Sequence, residues 1–379
     1  MRFEELTRLI DRMPSYDIPA ADCMIYYKGK PVYRHMTGFA DLESGIPVTE
    51  NTLYNLYSAS KVATCTAALT LYDKGLYGLD DPVGEYLPAF RELKVRLPGS
   101  DAVRKAVTPL TVRHLFTMSG GLDYDLRSPS ITRVQQEKGG DASTRDLVDA
   151  IAETPLGFEP GTRYRYSLCH DVLGGLIEVW SGESFGSYLK KAVLDPVGMK
   201  DTGFVRTPEI LDRMAFQYHA YDHRTGAYTK KDKDCAYKLS DRYESGGAGL
   251  VSSVEDYAKF ANVLCHYGVT PEGERILKKE TIDEMRRDQL DPVRRADFAA
   301  AIGVGQMGYS YGLGVRTMIR PESSPSSFGE FGWDGAAGAF MLIDPESEVA
   351  LFYAQHEFGA PWHHMEIRDE AYRALRAEG

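Results

Sequence analysis

The chain has 379 residues, 43% of them hydrophobic, and a formal net charge of −11 at pH 7. That length suffices for one large domain or two intertwined ones, with ample apolar surface for a core. The acidic balance argues against nucleic acid and anionic membrane surfaces as partners, and no stretch approaches the ~18 apolar residues of a membrane span.

The opening residues, MRFEELTRLIDRM, carry acids early and lack an apolar h-region, so they do not read as a secretory signal. Phe3, Leu6, Ile10 and Met13 instead have helical spacing. Cys23 to Tyr27 and Pro31 to Arg34 flank the turn Lys28-Gly29-Lys30 and predict a hairpin. The cysteines are Cys23, Cys65, Cys169, Cys235 and Cys265. Their odd number and the lack of a C-x-x-C point to reduced thiols and a cytoplasmic protein.

Residues 55–69 read NLYSASKVATCTAAL. Ser58 and Lys61 lie three apart where a helix should begin, hence on one face. Ser58 could be a plain N-cap and Lys61 a solvated side chain. However, Val62, Ala63, Cys65, Ala67, Ala68 and Leu69 make the helix apolar nearly all round, the mark of a buried one. Burial and the positive end of the helix dipole both disfavour a charged lysine there. A lysine held toward neutrality beside a serine is a base beside a nucleophile.

From 62 to 235 the pattern is mainly helical. Thr111 should start VRHLFTM, Ser143 should start TRDLVDAIAE, and a further helix should run from Asp171 through Trp180. Tyr164-Arg165-Tyr166-Ser167 lies in the loop before that last helix; there Tyr166 could serve catalysis or packing. Ser252 and Glu255 predict a capping box before DYAKFANVL. The last third returns to strands at Leu313–Ile319, Gly338–Ile343 and Val349–Tyr353, and closes on a helix over about 363–377. Strands at both ends with helices between predict an α/β sheet domain, 1–61 and 236–379, holding an inserted helical region, 62–235.

Three motifs read as decoys. Gly308-Tyr309-Ser310-Tyr311-Gly312 fits G-x-S-x-G, but a nucleophile elbow needs a strand before it and a helix after it, and the order here is wrong. Gly303 to Gly308 fits G-x-G-x-x-G without the strand and helix of a dinucleotide site. His363-His364 reads as a helix start, because adjacent histidines point in different directions. No metal or other cofactor is expected.

The stretch from Gly38 to Pro88 resembles the serine β-lactamase superfamily, in particular its class C branch and the related family VIII carboxylesterases. LTVRHLFTMSGGL, PGTRYRYSLCHDVLGGLIE, GGAGLVSSVEDYAKFANVL and GWDGAAGAFMLIDPE agree, in the family's order. The resemblance implies an antiparallel sheet flanked by helices, with the active site between the sheet domain and the helical insert. It makes Ser58 the nucleophile, Lys61 its proton acceptor and Tyr166 the tyrosine of Y-x-N. It places the third motif at Trp333-Asp334-Gly335 and the oxyanion hole at the backbone N–H groups of Ser58 and Ala336.

Three departures bear on the substrate. Leu168 stands at the asparagine of Y-x-N, Trp333 stands at the cationic position of the third motif, and the opening residues are not a signal. A β-lactam carboxylate would lack its partner at Trp333. The expectation is therefore a carboxylesterase acting on small uncharged esters, with Leu168, Tyr124 and Trp333 contacting substrate and Tyr54 and Phe340 as further candidate walls. A β-lactamase or D-amino-acid peptidase, an acyltransferase and an inactive scaffold are the alternatives.

Overall fold

The turn Lys28-Gly29 closes the first hairpin because both residues take positive φ, 51° and 76°, as a two-residue type I′ turn requires. It joins two strands of the main sheet in a computed structural model that describes residues 3–222, 224, 227–235, 237–302, 308–359 and 362–376. The G-x-G-x-x-G stretch lies largely outside these residues.

In chain order the elements begin with α1 (Glu4–Asp11), β1 (Ala20–Tyr27), β2 (Lys30–Asp41), β3 (Ile46–Pro47) and β4 (Leu53–Asn55). A 3₁₀ turn, Tyr57–Ala59, leads into α2 (Ser60–Asp73). Then come α3 (Val83–Tyr86), β5 (Lys94–Arg96), β6 (Val103–Lys105), α4 (Val112–Phe116), α5 (Pro129–Glu137), α6 (Thr144–Ile151) and α7 (Cys169–Ser181). These are followed by α8 (Phe185–Leu189), α9 (Asp195–Val197), α10 (Pro208–Arg213), β7 (Gln217–Asp222), β8 (Ala227–Lys231) and β9 (Val251–Ser253). The chain continues with α11 (Val254–Cys265), α12 (Lys279–Arg286), α13 (Pro292–Ile302), β10 (Tyr309–Tyr311), β11 (Arg316–Met318) and β12 (Phe331–Gly332). It ends with β13 (Phe340–Asp344), β14 (Val349–Ala354), β15 (Glu357–Phe358) and α14 (His364–Arg376).

Eight strands form one sheet in the order β10-β11-β12-β13-β14-β1-β2-β3, with antiparallel neighbours. Both ends of the chain therefore meet at its centre, where β1 pairs with β14. Alternation sorts the central strands. Cys23, Ile25, Leu342 and Leu351 pack with Leu6 and Ile10 of α1 and Ile367 and Leu375 of α14. Met24, Met341 and Phe352 join the other, larger core, where Tyr257 of α11 meets the Phe352 ring at 4.9 Å. The result is an antiparallel sheet flanked by helices. Helices α2 to α10 lie in the segment 60–213, whereas β7 pairs on one side with β8 and on the other with β15 near the C-terminus.

Thr111 and Ser143 cap their helices as the sequence predicts, each in a capping box. The cap of α11 is Ser253, which accepts from the Asp256 N–H. Ser252 instead is the middle residue of β9 and bonds Thr202, so the predicted box lies one residue early. Ser310 sits in β10, fully buried, with α13 before it and β11 after it. Its hydroxyl donates to Asp288, so it has neither the flanks nor the exposure of a nucleophile. His364 Nε2 donates to the Gly338 carbonyl oxygen at 3.0 Å, at the start of α14. All five cysteines are free and buried. Among the described residues no helix is long and apolar enough to cross a membrane.

Candidate active site

Helix α2 is buried from Ser60 through Leu71, as its all-round apolar sequence requires. Lys61, its second residue, is completely buried. Its Nζ lies 3.2 Å from Ser58 Oγ, 2.6 Å from the Gly247 carbonyl oxygen and 3.4 Å from the Tyr124 hydroxyl. Among the described residues no carboxylate forms an ion pair with it. The amine also rests 4.6 Å from the centre of the Tyr166 ring. The spacing S-x-x-K thus brings an amine onto a hydroxyl because one helical turn spans the gap.

Ser58 stands on the 3₁₀ turn just ahead of the helix. Tyr57 before it takes φ 46°, left-handed for a non-glycine residue. The ring of Tyr57 is held between Phe358 and Tyr237, and its hydroxyl donates to Gln217 of β7. The cost of this backbone, about 1–2 kcal/mol, is carried by that packing. Ser58, unlike its neighbours on both sides, is only half-buried.

A second layer of aromatic rings completes the cluster. Tyr124 stacks on Tyr166 at 5.6 Å, and Tyr166 stacks on Trp333 at 5.7 Å. The Trp333 indole N–H donates to the Tyr166 hydroxyl oxygen at 3.1 Å. The sequence reading treats Trp333 only as a missing cation; in the fold it is a donor that leaves the Tyr166 O–H free to point elsewhere. Trp333→Phe removes this donor while keeping an aromatic ring. We expect kcat to fall about 10-fold, near the net worth of one hydrogen bond, with KM nearly unchanged; steady-state kinetics check this.

The remaining candidates divide. Gly335 packs so closely that a Cβ would stand 2.3 Å from the Leu56 carbonyl oxygen, so only glycine lets the third motif approach the Ser58 turn. Ala336 follows it and packs in the same small cluster as Tyr57. Asp334 turns away to the fully buried Arg316 at 2.6 Å, with Glu330 on the guanidinium's other side at 3.6 Å. This is a buried ion network that fixes the strand, not a group facing the cleft. Leu168 is a correction: at 2% exposure it lies in the helical core with Leu122 and Ile131. As the apolar residue ahead of α7, it gains more by burial than by facing the cleft. Tyr54 and Phe340 are likewise core residues, at 1% and 0% exposure.

Reasoning from sequence missed three partners. Gly247 supplies the carbonyl on Lys61, and a Cβ there would stand 2.5 Å from Asp171 Oδ2. Asp171, read only as a helix-start residue, is fully buried and accepts at Oδ1 from the Gly247 N–H. Tyr237 packs edge-on against both Tyr57 and Tyr124. The Gly-Gly-Ala-Gly run entered the sequence reading only as part of a segment that resembles the family, not as a partner of Lys61.

Electrostatics favour uncharged side chains around the amine. Desolvation, with Tyr166 and Asp171 nearby, pushes the Tyr124 hydroxyl well above the usual tyrosine range. Burial and the neighbouring Lys61 push His170 down to about 3. It sits 3.7 Å from the Cys65 sulfur and 3.3 Å from the Phe116 carbonyl oxygen, so it serves packing rather than Ser58.

The family model described as Beta-lactamase matches residues 6–375. Esterase EstB from Burkholderia gladioli is 29% identical over 344 residues, covering 83% of this chain and 80% of EstB. Acyltransferase calJ from Penicillium decumbens is 28% identical over 384 residues, 94% of this chain and 89% of calJ. The structure of EstCE1, a hydrolase with promiscuous acyltransferase activity, superposes with a TM-score of 0.77 at 24% identity, covering 98% of this chain and 97% of that one. With a match along nearly its whole length and the matching fold, the chain belongs to the beta-lactamase family as a β-lactamase-fold serine hydrolase.

Proposed function

We propose that the protein is a carboxylesterase that cleaves small uncharged esters through an acyl-Ser58 intermediate. The observation that carries this reading is Lys61. It is a desolvated amine 3.2 Å from a half-exposed serine hydroxyl, held by neutral oxygens. With the amine directed at the Gly247 carbonyl, the Tyr124 hydroxyl and Ser58 Oγ, Lys61 is placed to take the Ser58 proton. Ser58 Oγ then attacks the ester carbonyl carbon, and the Ser58 and Ala336 N–H groups receive the developing oxyanion. Tyr166 passes its proton to the leaving alkoxide and regains one from Lys61, so the proton taken from Ser58 leaves with the alcohol. Water repeats the sequence on the acyl-enzyme and releases the acid. The chemistry described uses no cofactor, and the substrate is a small molecule.

Substrate choice rests on Trp333. An ester of a simple acid brings no carboxylate to the third motif and needs no cation there. A β-lactam does, and losing one charge-assisted hydrogen bond costs roughly 1.5–3 kcal/mol, on the order of 10- to 100-fold in kcat/KM. The expected result is clear hydrolysis of p-nitrophenyl acetate and butyrate, ahead of long acyl chains, with slow or no turnover of nitrocefin. Nitrocefin hydrolysis as efficient as the best ester would replace this reading with a β-lactamase. The likeness to calJ, named as an acyltransferase, supports a second fate for the acyl group. Adding a primary alcohol to the assay and measuring the new ester against free acid separates transfer from hydrolysis.

A further inference from the structure

We infer that Asp171 is a positioning residue for Lys61, acting through the Gly247 backbone; this rests on the reading of Ser58 and Lys61 as the reacting pair. Asp171 is 1% exposed, three residues into α7. Its Oδ1 accepts from the Tyr243 hydroxyl at 2.5 Å, the Ser245 hydroxyl at 2.7 Å and the Gly247 N–H at 3.2 Å. Its Oδ2 is buried with no hydrogen-bond partner among the described residues. Ser245 Oγ in turn accepts from the Ala248 N–H at 3.1 Å. One carboxylate oxygen therefore gathers the loop 243–248 into a single shape. The outcome of that shape is the Gly247 carbonyl, 2.6 Å from Lys61 Nζ.

A buried carboxylate is a costly way to hold a loop, because neutral acceptors would do so with less desolvation. Its charge has a use when Lys61 takes the Ser58 proton. A positive charge then appears in a site whose direct contacts on the amine are neutral, and Asp171 lies one residue beyond the Gly247 carbonyl. The arrangement parallels the acid that orients and compensates the base of a catalytic triad, here with a backbone carbonyl between them. Glycine at 247 is part of the device, since a side chain there would collide with the Asp171 carboxylate and lie 3.2 Å from the Tyr124 hydroxyl.

The test is Asp171→Asn, which keeps the acceptor oxygen and removes the charge, with Ser245→Ala as a second variant that removes one strut. Circular dichroism and Tm establish that each folds. Asp171→Asn should lower kcat for p-nitrophenyl butyrate about 10- to 100-fold, the scale of a displaced catalytic group, with KM changed by no more than about 2-fold. Ser245→Ala should show the same split on a smaller scale. The rate of fluorophosphonate labelling at Ser58 should fall in parallel. In a Lys61→Ala background Asp171→Asn should cause no further loss, because its action runs through the amine. A merely structural role would lower the rate equally in both backgrounds, and that result overturns the assignment. So does a folded Asp171→Asn enzyme with normal kcat. If Ser58→Ala or Lys61→Ala keeps near-normal kcat, the reading of the pair has failed; if both are impaired as expected and Asp171→Asn is normal, only the role of Asp171 has.

Discussion

Ser58→Ala abolishes ester hydrolysis and leaves the protein folded, while Ser310→Ala keeps most of the activity. The first half follows from the position of Ser58, half-buried on a tight turn with Lys61 Nζ 3.2 Å from its hydroxyl. Loss of a covalent nucleophile removes the reaction path itself, on the order of 10³-fold or more in kcat. The fold survives because the Ser58 hydroxyl has no structural partner besides Lys61 among the described residues. The second half follows from Ser310, fully buried and donating to Asp288. Ser310→Ala leaves that carboxylate short of one donor and costs stability, about 1–3 kcal/mol, without touching the cleft. Activity assays with thermal melts on both variants decide the matter. If Ser310→Ala is dead and Ser58→Ala is active, the site lies elsewhere.

Lys61→Ala and Tyr166→Phe should each lower kcat by on the order of 10²-fold or more, the scale of acid–base assistance. Together they should cost far less than the product of the two losses, since both act on the proton that leaves Ser58. The two side chains are in contact, since the amine lies over the Tyr166 ring, 4.6 Å from its centre. The Tyr166 hydroxyl should matter most for esters with poor leaving groups, which need a proton to depart. A p-nitrophenyl ester needs less help, so the Tyr166→Phe defect should be larger on an alkyl ester. Near-normal kcat of Tyr166→Phe on that alkyl ester would remove the tyrosine from the mechanism. Tyr124, 3.4 Å from the same amine, gives the comparison: Tyr124→Phe should cost less than Tyr166→Phe, because it loses a contact on Lys61 and no proton.

Much of this was legible without a structure because it is local. A buried helix is visible in its apolar residues, and a serine three places before a lysine shares a face in any α-helix. The hairpin at Lys28-Gly29 and the caps at Thr111 and Ser143 depend on residues within four positions of one another. The family likeness extended this to Tyr166 and the third motif. Where the local signal was shared by neighbours, it slipped: Ser252 and Ser253 are adjacent and both pair with β4, and the cap falls to Ser253 because it directly precedes Val254, the first residue of α11.

Other features depend on contacts between segments far apart in the chain. Leu168 was placed in the cleft by its motif position, but the start of α7 turns it into the core. Trp333 becomes a donor only because Tyr166, 167 residues away, meets its indole nitrogen. Gly247 and Asp171 reach Lys61 across 186 and 110 positions of chain, and neither residue type signals that task by itself. Sequence alone determined that Ser58 and Lys61 meet, since helix geometry fixes their separation. The oxygens around that amine were decided by packing of the 243–248 loop between α2 and α7, which no local periodicity encodes.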